Sequence, residues 1–347
     1  MAYCLICGSV LVLYIPGWPR GRAAAWKLEM DEDTYRALNL DIRMDQKDPT
    51  SGMRNLNTGE ELSFADPTGE DAKYEPAPEC VARGQGVAKG RLIEHLSWQG
   101  GAVYPETTRD WWVYVPQQYD PSVPAALLVC QDGALPGAER GTVCLDNLIA
   151  AGTIPVTIAV LVAPGSQTQE DGSQRSLEYD TVSARYTDFL ANDLLPLVEA
   201  EFNITKDPAM RCATGGSSGG ICAFSCAFFR PDLFGKAISW IGSFTNIRGG
   251  HNYPWLVRNT PRKPIAIYLQ DGTNDLNNQH GSWPLGNREM QSALSYAGYT
   301  FHMEWGSGCH SGRHMAALLP EALTWIFATD AAHASAAGGD GAVAAKL

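Results

Sequence analysis

The sequence predicts an α/β fold, with a doubly wound, mostly parallel sheet and helices on both faces. From about residue 86, short apolar runs of strand length alternate with longer runs of helical periodicity, which is typical of βαβ units. Several strand-like runs lead into glycine-rich polar loops. Open parallel sheets bind their ligands at the carboxyl ends of the strands, which is where such loops lie. The chain has 347 residues, 45% of them hydrophobic and 18% charged, which is ordinary for a globular protein with one substantial core.

The strands and helices follow from these runs in chain order. Residues 91–98 and 111–116 predict two antiparallel opening strands, and the later strand-length runs are more uniformly apolar, as buried strands are. Pro196 should kink the longest predicted helix, because proline lacks the backbone N–H and clashes with the preceding turn. The buried strands are predicted at 127–130, 155–162, 210–214, 237–241, 265–269 and 300–305, and the helices at 143–151, 182–202, 219–229, 285–297 and 315–328.

Three parts are predicted along the chain: a leader at 1–80, the α/β domain at 81–328 and a flexible Ala/Gly-rich tail at 329–347. The leader starts apolar and continues as an acidic stretch with no sustained periodicity, so no fold is assigned to it. Residues 29–80 of this leader hold 14 acidic and 5 basic residues, a net charge of −9 against −12 for the whole chain, and the sequence contains no basic stripe. Nucleic acid is therefore not expected as a partner.

The most informative motif is Gly-Gly-Ser-Ser-Gly at 215–219. It fits G-x-S-x-G, the strand-to-helix turn that lifts a nucleophilic serine out of a sheet. The flanking residues must be small because the turn forces the serine into a strained conformation. A predicted strand precedes the motif and a predicted helix follows it, so we expect Ser217 to be a nucleophile. The pattern also fits one residue later, with Ser218 at its centre.

A serine nucleophile needs an acid and a histidine, and behind a G-x-S-x-G turn they follow in that order. Asp271 and Asp275 both come after the predicted strand at 265–269. Asp275 is favoured, because Asp271 abuts the strand and its Asp-Gly pair resembles turn chemistry.

The predicted general base is His310, on a glycine-rich loop directly after the last predicted strand. From such a loop an imidazole can reach the serine and accept its proton. The alternatives are His302, inside that strand, and His314, at the start of the last predicted helix.

An oxyanion hole needs two backbone N–H groups aimed at the developing charge. One is expected from Ser218, the residue after the nucleophile. The other should come from the loop at 131–134, where Gly133 and Ala134 are both candidates. Three side chains near the expected rim of the site are candidate substrate contacts: Asp132, His251 and Trp283.

Several longer segments strengthen this interpretation: Tyr114-Val-Pro-Gln-Gln-Tyr119, Arg175-Ser-Leu-Glu-Tyr179, Ser217-Ser-Gly-Gly-Ile-Cys222 and Gln270-Asp-Gly272. With them, residues 86–327 resemble the esterase D and enterochelin (ferric siderophore) esterase-like branch of the α/β-hydrolases. The resemblance implies an ester or lactone hydrolase whose Ser-His-Asp triad maps onto Ser217, Asp275 and His310. The S-x-G-G pattern of that branch favours Ser217 over Ser218. Cys309 departs from the branch, where a glycine is expected before the histidine.

The function that we expect is therefore a serine carboxylic-ester hydrolase that forms a covalent acyl-enzyme on a small-molecule ester or lactone, with no cofactor and no metal. Acyl transfer on the same scaffold and a catalytically inactive hydrolase fold used for binding are the alternatives.

An intracellular location is expected over secretion. The nine cysteines have no disulfide-framework spacing, which favours a reducing compartment. Residues 3–14 are apolar but lack a preceding basic residue, and they are too short to span a membrane as a helix. The last three residues, Ala345-Lys-Leu347, resemble a peroxisomal address, so the cytoplasm and the peroxisome are both expected compartments.

Overall fold

The computed structural model describes residues 3–7, 10–14, 68–166 and 174–328. The chain divides into two units, 1–46 and 47–347. In the first unit, β1 (Tyr3–Cys7) and β2 (Val10–Tyr14) pair as an antiparallel hairpin. The predicted tail, with its Ala-Lys-Leu end, and the leader between residues 15 and 67 lie outside the described residues.

One eight-stranded sheet organises the second unit. Its strands are β3 (Arg91–Gln99), β4 (Thr108–Val115), β5 (Ala126–Gln131), β6 (Thr157–Val162), β7 (Arg211–Gly216), β8 (Lys236–Trp240), β9 (Ala266–Gly272) and β12 (Thr300–Gly306). Two short strands, β10 (Asn277–Asn278) and β11 (Gly281–Ser282), form a separate pair. The order in the sheet is β12-β9-β8-β7-β5-β6-β4-β3. The pairs from β12 to β6 are parallel, and β4 is antiparallel to both β6 and β3. The predicted α/β fold is confirmed, including its antiparallel opening strands.

The helices are α1 (Pro78–Val81), α2 (Thr142–Ala150), α3 (Arg175–Tyr179), α4 (Arg185–Phe189), α5 (Leu195–Glu201), α6 (Ser218–Phe229), α7 (Tyr253–Asn259), α8 (Trp283–Tyr296) and α9 (Gly312–Phe327). The helix predicted at 182–202 is interrupted rather than continuous. A π-helical turn at Leu190–Leu194 separates α4 from α5, and Pro196 lies in the first turn of α5, where its missing N–H is tolerated. In the described ranges, no helix is long and apolar enough to cross a membrane.

Apolar side chains pack against both faces of the sheet, because parallel strands between helices are buried on both sides. On one face α6 contributes Ile221 and Phe224, and α8 contributes Met290. On the other face α9 contributes Leu319 and Leu323. All five side chains are almost fully buried, so helices cover both faces as predicted.

Residues 68–82, which we call the N-terminal strap, pack against the α/β domain. Cys80 is fully buried, and the backbone N–H of Ala77 donates to the carbonyl of Ala316 on α9 at 3.1 Å. Asn147 of α2 donates through Nδ2 to the carbonyl of Ala82 at 2.9 Å. The division at residue 80 stays a prediction, and from these contacts we propose that the folded domain includes the described residues 68–82.

A buried ion pair joins β4 to α3. The side chains of Arg109 and Glu178 are both 0% exposed, and two hydrogen bonds of 2.9 and 2.8 Å connect the guanidinium to the carboxylate. The guanidinium also lies 4.1 Å from the centre of the Phe189 ring. Removing one partner of such a pair leaves the other charge buried without compensation, which is strongly destabilising.

We expect Glu178→Gln to lower the free energy of unfolding by about 3 kcal/mol, because Arg109 then stays charged and poorly compensated in the core. Urea denaturation followed by tryptophan fluorescence measures this loss. Glu201→Gln, at an exposed position at the end of α5, is the matched control and should change stability by less than about 0.5 kcal/mol. Equal losses in the two variants would contradict the role of the buried pair.

Candidate active site

Ser217 lies in the turn between β7 and α6, with backbone angles φ 60° and ψ −119°. A positive φ is uncommon for a residue with a Cβ, and the surrounding structure must hold the strain. The N–H of Ser217 donates to the carbonyl of Trp240 at 2.9 Å, and its own carbonyl accepts from Gly220 and Ile221. The turn therefore holds Ser217 at the carboxyl-terminal edge of the sheet.

Close backbone approach explains the glycines around this turn. A Cβ at Gly215 would lie 2.6 Å from the carbonyl oxygen of Gly219, and one at Gly220 would lie 2.7 Å from that of Trp240. Because a Cβ does not approach other atoms so closely, a side chain at Gly215 would push β7 and α6 apart, and one at Gly220 would push α6 away from β8. The glycine-rich motif is thus required by the packing of the turn itself.

His310 and Asp275 extend a line of hydrogen bonds from Ser217. His310 Nε2 lies 2.8 Å from Ser217 Oγ, and His310 Nδ1 lies 2.5 Å from Asp275 Oδ1. His310 follows β12 and Asp275 follows β9, and these two strands are parallel neighbours. The side chains of His310 and Asp275 are 9% and 0% exposed, so water has little access to this contact. The structure therefore brings the three predicted residues together.

Asp271, the alternative acid, is fully buried at the end of β9. Its two oxygens accept hydrogen bonds from the N–H of Gly272 at 2.7 Å and from Asn287 Nδ2 at 2.9 Å. Burial and the neighbouring Asp275 carboxylate raise the pKa of Asp271 well above its ordinary value. Burial raises the pKa of Asp275 only to about 6. Asp271 therefore favours its protonated form more strongly than Asp275 does, and Asp275 is the carboxyl in contact with the imidazole.

The other predicted alternatives have different partners. Ser218 is the first residue of α6 and is 3% exposed. His314, in the first turn of α9, is buried, with Nδ1 2.8 Å from Gln270 Nε2. His302 lies within β12 and stacks on the ring of Tyr268.

His302, Glu304 and Glu321 are the described residues that could hold a metal ion, since one ligand atom from each lies within 4.8 Å of the others. His302 Nε2 is 3.3 Å from Glu304 and 3.8 Å from Glu321. None of the three lines the cavity beside Ser217.

Backbone hydrogen bonds distinguish the two candidate oxyanion donors in the 131–134 loop. The N–H of Gly133 donates to the carbonyl of Val162 at 3.1 Å, and the carbonyl of Gly133 accepts from Arg140 at 2.9 Å. The following peptide is trans, so the N–H of Ala134 points away from Arg140. Ala134 also lines the cavity beside Ser217. These contacts favour Ala134 and argue against Gly133, whose N–H already has an acceptor.

An ion pair ties this loop to the serine turn. Arg175 donates to the two carboxylate oxygens of Asp132 at 2.6 and 2.9 Å, and through Nη2 to the carbonyl of Gly216 at 3.1 Å. Asp132 has a φ of 62°, so its backbone is held in the left-handed region. Bidentate arginine–carboxylate pairs fix orientation as well as distance. Arg175 thereby clamps the loop, and a substrate contact through Asp132 stays a prediction.

Ser243 contacts the serine and was missed by the sequence analysis. Its Oγ lies 3.2 Å from Ser217 Oγ, and Trp283 Nε1 donates to Ser243 Oγ at 3.2 Å. The Trp283 ring also meets the His310 ring edge-on, with centroids 5.6 Å apart. Trp283 is only 1% exposed, so it is buried beneath Ser243 and His310 instead of facing solvent. The available signal for Ser243 was its position directly after β8, at the same sheet edge.

A cavity of about 450 Å³ opens beside Ser217 and His310. Its walls come from the loop after β5, the end of β7 with its serine turn, the end of β8 and the segment that leads into α9. His251, a predicted substrate contact, is exposed in a turn before α7 and does not line this cavity, so its role stays a prediction. The apolar side chains of the cavity are Ala134, Leu135, Pro136, Trp240, Ile241 and Met315.

Comparison with known proteins supports a common family. The family model described as "Putative esterase" matches residues 103–326. A curated relative, "Uncharacterized protein YbbA" of Bacillus subtilis (strain 168), is 24% identical over 166 residues, which is 45% of this chain. The match spans 62% of the length of that relative.

Solved structures of esterases have the same fold. A ferulic acid esterase superposes with a TM-score of 0.56 at 18% identity, over 69% of this chain and 99% of that one. The enterochelin esterase of Shigella flexneri gives 0.57 at 18% identity, over 73% and 61%. FphF, a fluorophosphonate-binding serine hydrolase of Staphylococcus aureus, gives 0.51 at 14% identity, over 70% and 100%. Because the family model covers well over half of the chain, this protein belongs to the putative esterase family, and it has the α/β-hydrolase fold.

Proposed function

We propose that the chain hydrolyses a small-molecule ester or lactone through a covalent acyl-enzyme, with Ser217 as nucleophile, His310 as general base and Asp275 as acid. The observation that carries the proposal is the unbroken hydrogen-bonded line from Ser217 Oγ to Asp275 Oδ1. Burial lowers the pKa of His310, so its imidazole is neutral at neutral pH and can accept a proton. The Asp275 carboxylate favours the tautomer with the proton on Nδ1 and the lone pair on Nε2.

In the first half of the reaction, Ser217 Oγ forms a bond to the ester carbonyl carbon while its proton passes to His310 Nε2. The carbonyl oxygen becomes negatively charged and accepts hydrogen bonds from the N–H groups of Ser218 and Ala134. When the bond to the alcohol oxygen breaks, His310 gives the proton to that oxygen. Water then attacks the acyl-enzyme by the same sequence, which releases the acid and restores Ser217.

Ser243 supports this proton transfer. Trp283 Nε1 can only donate, so it occupies an acceptor position of Ser243 Oγ and leaves the Ser243 hydroxyl hydrogen available. That hydrogen can be donated to Ser217 Oγ, 3.2 Å away. The Ser217 hydroxyl hydrogen is then directed at His310 Nε2, which is the direction that the reaction requires.

The cavity argues for a substrate with an apolar or aromatic part. Its walls carry the apolar side chains of Leu135, Trp240 and Met315 close to Ser217. Burial of an apolar group against such walls contributes favourable free energy, whereas a bare charge there would lose its hydration. Two structural relatives are named as ferulic acid and enterochelin esterases. Aryl esters and lactones are therefore the first classes to assay, with sugar esters as the comparison.

We expect Ser217→Ala to abolish hydrolysis of p-nitrophenyl acetate, since loss of a triad nucleophile lowers kcat by on the order of 10⁶. Ser218→Ala is the matched control and should retain most activity, because only its backbone N–H takes part. Release of nitrophenol measures turnover, and circular dichroism verifies the fold of each variant. An active Ser217→Ala beside an inactive Ser218→Ala would move the nucleophile by one residue.

Asp275→Asn should lower kcat by about 10⁴, because the amide no longer holds the required histidine tautomer or stabilises the imidazolium. Asp271→Asn alters a carboxyl whose hydrogen bonds go to Gly272 and Asn287, so kcat should stay near wild type while stability falls by on the order of 1 kcal/mol. Steady-state kinetics and thermal melts on both variants separate the two effects. The opposite pattern would assign the acid to Asp271, and two near-wild-type variants would indicate a Ser-His dyad.

The pH dependence of kcat/KM should reflect the lowered pKa of His310. A histidine with a depressed pKa stays neutral below pH 6.5, its ordinary value, and becomes protonated only on further acidification. We therefore expect kcat/KM to stay near its plateau down to about pH 6.5 and to fall at lower pH, where protonation first of Asp275, whose pKa is about 6, and then of His310 disables the triad. Initial rates between pH 4 and 9 measure this, and an acid limb centred above pH 6.5 would contradict it.

A further inference from the structure

The loop that carries His310 is held from two sides. It comprises residues 307–311, between β12 and α9. On the side of the acid loop, Asn274 donates through Nδ2 to the carbonyl of Ser307 at 2.7 Å and through its N–H to the carbonyl of Gly308 at 3.3 Å. Those bonds satisfy carbonyl groups of the loop. Two of its N–H groups, those of Ser307 and Cys309, have their acceptors on the N-terminal strap.

Two strap residues supply these acceptors. The N–H of Ser307 donates to Tyr74 Oη at 2.8 Å, and the N–H of Cys309 donates to Asp71 Oδ1 at 3.3 Å. The second oxygen of Asp71 accepts from Ser311 Oγ at 2.5 Å. Cys309 and Ser311 are the immediate neighbours of His310, so the Asp71 carboxylate accepts a hydrogen bond from the residue on each side of the histidine.

The strap contacts are buried and specific. Asp71 is only 6% exposed, and a buried carboxylate needs hydrogen bonds to both oxygens to offset its lost hydration. The Tyr74 ring stacks on His314 with centroids 4.0 Å apart. At the end of β12, a Cβ on Gly306 would lie 2.3 Å from Tyr74 Oη, so this glycine leaves room for the hydroxyl.

We propose that Asp71 and Tyr74 are positioning residues for His310, and that the N-terminal strap completes the active site from outside the sheet. This inference rests on the proposed role of His310 as general base. Proton transfer needs His310 Nε2 within hydrogen-bonding distance of Ser217 Oγ, and a misplacement of about 1 Å can cost 10² in rate. No strap residue lines the cavity, so the loss should appear in kcat and leave KM unchanged.

The test uses the full chain and p-nitrophenyl acetate. Tyr74→Phe keeps the stacked ring and removes only the hydroxyl, and should lower kcat by about tenfold; Asp71→Ala removes both acceptor oxygens and should lower it by about 100-fold. Asp71→Asn retains an acceptor oxygen and should recover most of that loss. Glu75→Ala, at an exposed position of the same strap, is the matched control with wild-type kcat. Active-site concentration is set by fluorophosphonate labelling, so kcat refers to folded enzyme.

The inference is overturned if Asp71→Ala and Tyr74→Phe keep wild-type kcat per active site and lose only thermal stability. If Asp71→Ala does not fold, Tyr74→Phe decides alone, and a wild-type kcat there overturns the proposal. Ser217→Ala and His310→Ala in the same assay distinguish failure of the proposed function from failure of the proposed role of the strap. Activity in those two variants contradicts the proposed function, whereas their inactivity beside normal turnover in the strap variants contradicts only the role of the strap.

Discussion

The left-handed backbone of Ser217 is the constraint on which the rest of the site depends. Such a conformation costs on the order of 1–3 kcal/mol for a residue with a side chain, so neighbouring groups must hold it. The N–H of Ser217 bonds to Trp240, the last residue of β8, and its carbonyl accepts from Ser243, just beyond that strand. Both bonds exist because β8 lies parallel to β7 and ends at the same edge. The order of strands in the sheet is therefore what keeps the Ser217 side chain exposed to its partners.

The remaining groups of the site reach Ser217 from separate loops, and each loop is tied down by a contact distant in sequence. Arg175 fastens the loop after β5 to the serine turn through Asp132 and the carbonyl of Gly216. The strap holds the loop of His310 through Asp71, 240 positions away from Ser311 in sequence. A parallel sheet brings strand ends to one edge, but it does not fix loops to the fraction of an ångström that proton transfer needs. We infer that these side-chain ties supply that accuracy.

The sequence could predict those features of the site that depend on short stretches of neighbouring residues. The sheet edge, the serine turn and a histidine on a loop after the last strand all follow from short patterns, and the structure brings Ser217 and His310 within 2.8 Å. Other features depend on contacts that no local pattern encodes. The preference for Ala134 over Gly133 as oxyanion donor depends on the orientation of the backbone N–H groups in the loop after β5. The contact of Ser243 with Ser217 can be inferred only once β8 is known to pair with β7. The strap offered no periodicity to interpret, because its few anchoring residues act through single hydrogen bonds rather than through an amphipathic face.

The assignment of Ser217 as the nucleophile can be tested by identifying the residue that a covalent inhibitor modifies. The full chain is treated with a fluorophosphonate, digested, and its peptides are sequenced by mass spectrometry. We predict one stoichiometric adduct, on Ser217, because among the hydroxyls of the described residues only that of Ser217 has both the strained turn and the hydrogen bond to His310. An adduct on Ser218, or an enzyme that turns over esters while Ser217 stays unmodified, would contradict it.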